Sequence, residues 1–190
     1  MKTTLFSIFF LLSTSAVFSQ KIHALSISAM TETTSYPFTR YLPIHPGLEV
    51  GTTFWLKEKN NSKHQINAYL GGYHHKKLEN GFYLRGEYAY TYSIKNIIGL
   101  DLPLGVGYQH TFYPGEVYEQ NAESGNWEKM NHFGKPHTIV NCGFGLRILN
   151  LGKVQPFIRH ESALDIPLYN GFLNLRTFLK LGINIKLNHE

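Results

Sequence analysis

The segment Phe157-Ile-Arg-His-Glu-Ser-Ala-Leu-Asp165 sets His160 two residues before Ser162. On an extended strand, residues two apart share a face at about 7 Å, within hydrogen-bonding reach if the side chains turn toward each other. A histidine so placed can serve as general base to a serine nucleophile, which is ester-hydrolase chemistry. Other candidates are weaker. The ten histidines include the pair His74–His75 and the set His132 with His137. Neighbours in a strand point to opposite faces, so His74–His75 makes a poor bidentate site. His132 and His137 close a long loop that identifies no further ligands. The chain has no Gly-rich phosphate loop, no Cys-based zinc pattern and no HExxH. Neither a metal nor a cofactor is expected.

The elements that must carry these residues are legible as alternation. From Leu173 to Leu187 the odd positions are apolar except for Thr177, while the even positions include Asn174, Arg176, Lys180, Asn184 and Lys186. A strand puts alternate side chains on opposite faces, so this is one long strand with an apolar and a polar side. The pattern recurs. Leu48, Val50, Thr52, Phe54 and Leu56 oppose Glu49, Gly51, Thr53, Trp55 and Lys57. Phe82, Leu84, Tyr88, Tyr90 and Tyr92 oppose Tyr83, Arg85, Glu87, Ala89 and Thr91. Leu100 to Tyr108 and Val140 to Ile148 alternate in the same way, and weaker versions lie at Ile22–Ala29, His64–His74 and Val154–Leu164. These eight strands predict an all-β fold, an antiparallel up-and-down transmembrane barrel.

Two features separate such a barrel from a soluble sandwich. The polar faces carry both signs of charge, namely Glu49, Arg85, Glu87, Asp101, Arg147, Arg159, Glu161, Arg176 and Lys180, beside glycines that leave room for long neighbours. A narrow barrel is filled by its own side chains, and this set suits a paired ionic interior. The connections also differ in length: Met30–Pro46 and Pro114–Pro136 are long, while Lys95–Asn96 and Asn150–Lys153 are tight. With a periplasmic N-terminus both long connections face outside, the asymmetry of outer-membrane barrels. Tyr88, Tyr90 and Tyr92 then mark one membrane surface, and Tyr108 and Phe112 the other. In the first long connection, the proline- and aromatic-rich stretch Tyr36–Gly47 reads as an ordered loop that packs across the mouth or meets a partner. Glu116–Lys135 reads as the more mobile one.

The N-terminus supplies an export signal, with Lys2, the apolar run Leu5–Leu12 and a small, polar Ser13–Ser19. That run is about half the roughly 20 residues of a spanning helix, so it reads as a cleaved peptide of residues 1–19 ahead of a single barrel domain, 20–190. The lone Cys142 excludes an internal disulfide framework, and no cysteine near the signal could take a lipid. The formal net charge of +5 is scattered, so no nucleic-acid partner is expected.

The whole pattern resembles the small outer-membrane barrel proteins of Gram-negative bacteria, although the chain ends Leu187-Asn-His-Glu190 rather than on an aromatic residue. The His-x-Ser arrangement on the penultimate strand resembles the lipid A 3-O-deacylase family. That resemblance implies Ser162 as nucleophile and His160 as general base, acting on a lipid from the barrel's exterior. The family's following asparagine is replaced here by Ala163, and its glutamate has no counterpart near Asn174. The leading expectation is a non-enzymatic outer-membrane barrel with a structural or surface-recognition role. Its partners would be the surrounding outer-membrane lipid and a protein or glycan at the outer loops. The alternatives are a barrel-embedded lipid ester hydrolase using His160 and Ser162, and a lipocalin-like binding barrel with its apolar face inward.

Overall fold

The computed structural model describes residues 22–33, 42–76, 78–120, 125–130, 134–166 and 174–187. The proposed signal peptide, Tyr36–Tyr41 of the proline-rich loop, and His132 lie outside them. The strands are β1 (Ala24–Thr33), β2 (Pro46–Lys59), β3 (Ser62–His74), β4 (Asn80–Ile94), β5 (Ile98–Phe112), β6 (Val117–Gln120), β7 (Trp127–Met130), β8 (Lys135–Ile148), β9 (Val154–Ile166) and β10 (Leu175–Lys186). The described residues contain no helix.

Eight of the strands close an antiparallel barrel in the order β1-β10-β9-β8-β5-β4-β3-β2, so chain neighbours are sheet neighbours once β6 and β7 are set aside. Closure comes from the pairing of β1 with β10, which runs from Ala24↔Lys186 to Thr33↔Thr177. The barrel strands hold 10 to 15 residues, enough for the roughly 9–11 that a tilted strand needs to cross a bilayer. Each of the eight alternating segments in the sequence became one of these strands.

The faces sort as the alternation predicts, with the charges inside. Arg85, Glu87, Asp101, Arg159, Glu161, Arg176 and Lys180 are all buried, while Leu84, Leu102, Leu104, Val106, Phe144 and Leu181 stand exposed. This corrects the lipocalin-like alternative, which requires the apolar face inward. Inner glycines make the crowding possible. A Cβ on Gly51 would lie 2.2 Å from the Tyr69 ring, and one on Gly145 would lie 2.6 Å from Arg159 Cγ. Both glycines sit directly across a strand pair from the large residue they accommodate. The tight turn between β4 and β5 places Lys95 and Asn96 at φ of 51° and 56°, the left-handed pair that matches a hairpin's twist.

One expectation is corrected, and one connection carries strands the sequence did not predict. The register of β2 against β3 shifts between Thr53 and Trp55, a β-bulge at Phe54. The extra residue reverses the alternation, so Trp55 faces outward opposite Ile66 instead of sharing the inner face with Glu49 and Thr53. The Glu116–Lys135 connection, read as a mobile loop, contains the hairpin β6–β7 with the pairs Val117↔Met130 and Gln120↔Trp127.

Candidate functional site

The barrel's centre is a charge network in which four cations meet four carboxylates. Arg85 donates from Nη1 to Glu161 at 2.6 Å and from Nη2 to Glu49 at 2.9 Å. Lys180 Nζ bridges the same two carboxylates at 2.8 and 2.9 Å. One layer along, Arg159 reaches Glu87 at 3.0 Å and Asp101 at 3.3 Å, and Arg147 holds Asp101 through two nitrogens at 3.0 and 2.8 Å. The charged residues foreseen on the polar faces are thus joined, with Arg176 heading a separate cluster. Ion pairs of this depth hold only when each charge is matched and hydrogen-bonded, as here. An apolar layer of Met30, Tyr83, Ile139, Ala163 and Phe178 lies beside this network and separates it from the mouth. Among the described residues, side chains fill the lumen.

The mouth at the long-connection end carries a second polar group. Arg176 donates from Nε to Asp165 at 2.7 Å, pairs with Glu79, and lies 3.6 Å from Glu32. Tyr73 joins it by accepting from Arg176 Nη1 at 2.6 Å. Next to Glu32, the rings of His45 and His75 lie with centroids 3.5 Å apart, tilted by 31°. His45 is tied to the end of β1: its amide donates to Thr31 Oγ1 at 3.1 Å, and its carbonyl accepts from the Glu32 amide at 3.0 Å. So the described end of the proline-rich loop reaches the mouth. Burial, and then the adjacent His45, push the His75 imidazole below its ordinary pKa. Sequence reasoning set His74–His75 aside because the two rings diverge, and they do: His74 is exposed and bonds Asn80 Oδ1 at 2.6 Å. What it missed is that the inward member meets partners from β1 and from the loop before β2. His137 turns inward to Thr111 Oγ1 at 3.1 Å.

His160 and Ser162 share the outward face of β9 and lie near mid-strand. His160 is only 6% exposed because its ring stacks on Phe144, with centroids 5.4 Å apart. Ser162 stands level with Cys142 on β8 and Thr177 on β10, so the pair belongs to a small polar patch in an apolar wall. Arg159, Glu161 and Asp165 face inward. Among the described residues, the outward positions of β8, β9 and β10 carry no carboxylate.

The outer wall is an apolar belt edged by aromatics. Near one end His64 Nδ1 and Tyr88 Oη meet at 2.6 Å, with Tyr90 and Tyr92 beside them. Near the other, Tyr108 Oη meets His110 Nδ1 at 2.7 Å, and the His110 ring packs on Phe112 with centroids 4.7 Å apart. Amphipathic rings of this kind collect where an apolar solvent gives way to a polar one.

The architecture is therefore that of the small outer-membrane barrels, with side chains filling the lumen and apolar residues facing out. Among solved structures the chain is similar to Neisserial surface protein A, at 10% identity and a TM-score of 0.57 over 87% of this chain and 97% of that one. The outer membrane enzyme PagL aligns at 10% identity and a TM-score of 0.49, over 86% and 99% of the two chains. The attachment invasion locus protein Ail of Yersinia pestis aligns at 12% identity and 0.48, over 88% and 99%. Neither a family model nor a curated protein matches the sequence.

Proposed function

We propose that this chain is an outer-membrane barrel, exported by the signal in residues 1–19, whose work is structural or surface recognition through its outer connections. The observation that carries this reading is the inversion of polarity between lumen and wall: ion pairs fill the inside, while Leu104, Val106 and Leu181 are each more than half exposed. In water that wall is a standing liability; in lipid it is the required surface. The recognition half rests on the asymmetry of the two ends. One end has the compact turns after β2, β4 and β8. The other has residues 34–45 and a 113–134 connection whose β6–β7 hairpin presents exposed Tyr118 and Trp127. Exposed aromatics of this kind suit a protein or glycan partner.

Membrane fractionation with a heat-modifiability gel tests the first half. Retention in the outer membrane, with a folded band that shifts on boiling, is expected. Release from cells without detergent would overturn it. Cutting residues 117–130 down to a short linker tests the second half. The folded band should remain, while binding by whole cells to arrays of surface proteins or glycans should fall.

A second reading, lipid hydrolysis, is favoured by the grouping of His160 and Ser162 in one polar patch on the lipid-facing wall. It predicts release of fatty acid from lipid A in outer-membrane vesicles by the folded protein, abolished by Ser162→Ala. Equal release by both proteins, or none by either, would end it.

A further inference from the structure

We propose that Glu32, His45 and His75 form a binding site for a divalent transition-metal ion of the zinc class at the outer mouth of the barrel. Their candidate ligand atoms all lie within 4.8 Å of one another. The three come from the end of β1, from the residue before β2 and from the residue after β3, so the pairing of β2 with both β1 and β3 brings them together. Two imidazoles and one carboxylate are the donor set of an open zinc site, which leaves a fourth position for water or an incoming ligand.

The hydrogen bonds around the donors support this assignment. His45 Nδ1 lies 2.9 Å from the Glu32 carbonyl oxygen. A carbonyl only accepts, so Nδ1 carries the proton and Nε2 presents its lone pair. This is the arrangement by which a backbone carbonyl orients and tunes a metal-bound histidine. On the other ring, the Leu78 amide donates to His75 Nδ1 at 3.2 Å. That lone pair already points at a positive group, and a metal ion competes with the amide for it. Glu32 is fully buried, and it shares Arg176 with Glu79 and Asp165, so the corner is rich in carboxylate. Metal–ligand bonds of about 2.0–2.2 Å put tetrahedral donors about 3.4 Å apart, so even the widest pair would close by no more than about 1.4 Å. His45 is half-buried, and its backbone is fixed to β1, so that closure would come from side-chain rotation. A bound ion would tie β1, the first connection and the β3–β4 turn into one rim.

The test uses the detergent-folded full barrel and the metal alone. Titration with Zn²⁺ should show one saturable site that a chelator empties, and Zn²⁺ should raise the thermal midpoint. His45→Ala and His75→Ala should each weaken binding at least tenfold while keeping the heat-modifiable band. His74→Ala, which removes the adjacent exposed ring, should bind like the parent protein. Glu32→Gln should weaken binding in the same way as the histidine variants. If that buried substitution fails to fold, the electron paramagnetic resonance of the Cu²⁺-loaded parent protein decides, and it should show two imidazole nitrogens. No saturable binding, parental affinity in either histidine variant, an equal loss in His74→Ala, or a copper spectrum with fewer than two imidazole nitrogens would each overturn the site.

Discussion

Replacing Glu161 by glutamine asks whether the lumen is held together by charge balance or merely filled. Glu161 accepts from Arg85 Nη1 at 2.6 Å and Lys180 Nζ at 2.9 Å, and lies 3.9 Å from Arg159. Glutamine keeps the shape but removes the charge, and its amide group turns a donor toward two donors. Arg85, Lys180, Arg159 and Arg147 would then face only Glu49, Glu87 and Asp101. Removing one partner of a buried ion pair costs about 3–5 kcal/mol, because the other charge stays buried and uncompensated. Lys180→Met should cost a comparable amount for the mirror-image reason. The double variant restores three against three, so it should cost less than the two singles together, with a coupling of about 1–3 kcal/mol. Urea unfolding in lipid vesicles, followed by the fluorescence of Trp55 and Trp127, measures all four proteins on one scale. A Glu161→Gln cost below about 1 kcal/mol, or a double variant that simply sums the singles, would refute the claim that charge balance holds the lumen.

Other substitutions test the wall and the packing. Val106→Arg places a guanidinium on the exposed face near the middle of β5 and should cost about 2–4 kcal/mol in a bilayer; an unchanged urea midpoint in vesicles would contradict a lipid-facing wall. Gly51→Ala drives a methyl into the Tyr69 ring and should cost about 1–3 kcal/mol, whereas Gly86→Ala meets only Val106 O at 4.0 Å and should be nearly neutral in the same unfolding assay. Cys142 is exposed on the outer wall, so in vesicles it should react with a lipid-soluble maleimide and resist a water-soluble one until the barrel is unfolded. Equal labelling by both reagents would place β8 in water.

The strands were legible because many inner positions, such as Glu49, Arg85, Glu87, Asp101, Gly145 and Lys180, are charged or glycine beside outer leucine, valine or tyrosine, although Tyr83, Ile139 and Phe178 also face inward. That contrast survives without any knowledge of partners. The bulge at Phe54 was not legible, since Phe54, Trp55 and Leu56 are all apolar and a phase reversal within them leaves no mark on the pattern. The β6–β7 hairpin was hidden for the opposite reason: two short strands carrying Tyr118, Glu119, Glu128 and Lys129 show no apolar face. Its base is fastened instead by Glu116, which accepts from Tyr118 Oη at 2.6 Å and pairs with Lys129. Glu32, His45 and His75 were beyond reach of spacing arguments, because a strand end, a loop and a turn converge only after β2 pairs with β1 and with β3.

The ionic lumen also answers a question of register. A leucine-filled interior would pack as well as ion pairs do, and buried ion pairs are often matched or bettered by apolar residues of the same volume. But with apolar side chains on both faces, nothing would distinguish the inside of a strand from its outside. Sliding one strand by a single residue moves its whole inner set to the wall. For β10 that slip would carry Arg176 and Lys180 outward, taking Arg176 from Asp165 and leaving Glu49 and Glu161 to share Arg85. In lipid each exposed cation would cost about 2–4 kcal/mol at mid-depth, before the stranded carboxylates are counted. The glycines reinforce the choice, since Gly145 accepts Arg159 and Gly51 accepts Tyr69 only when the pairs stand directly opposite. Charge and glycine together therefore specify which face is inner and which pairing is correct, a task that hydrophobic burial alone cannot perform where the solvent is itself apolar.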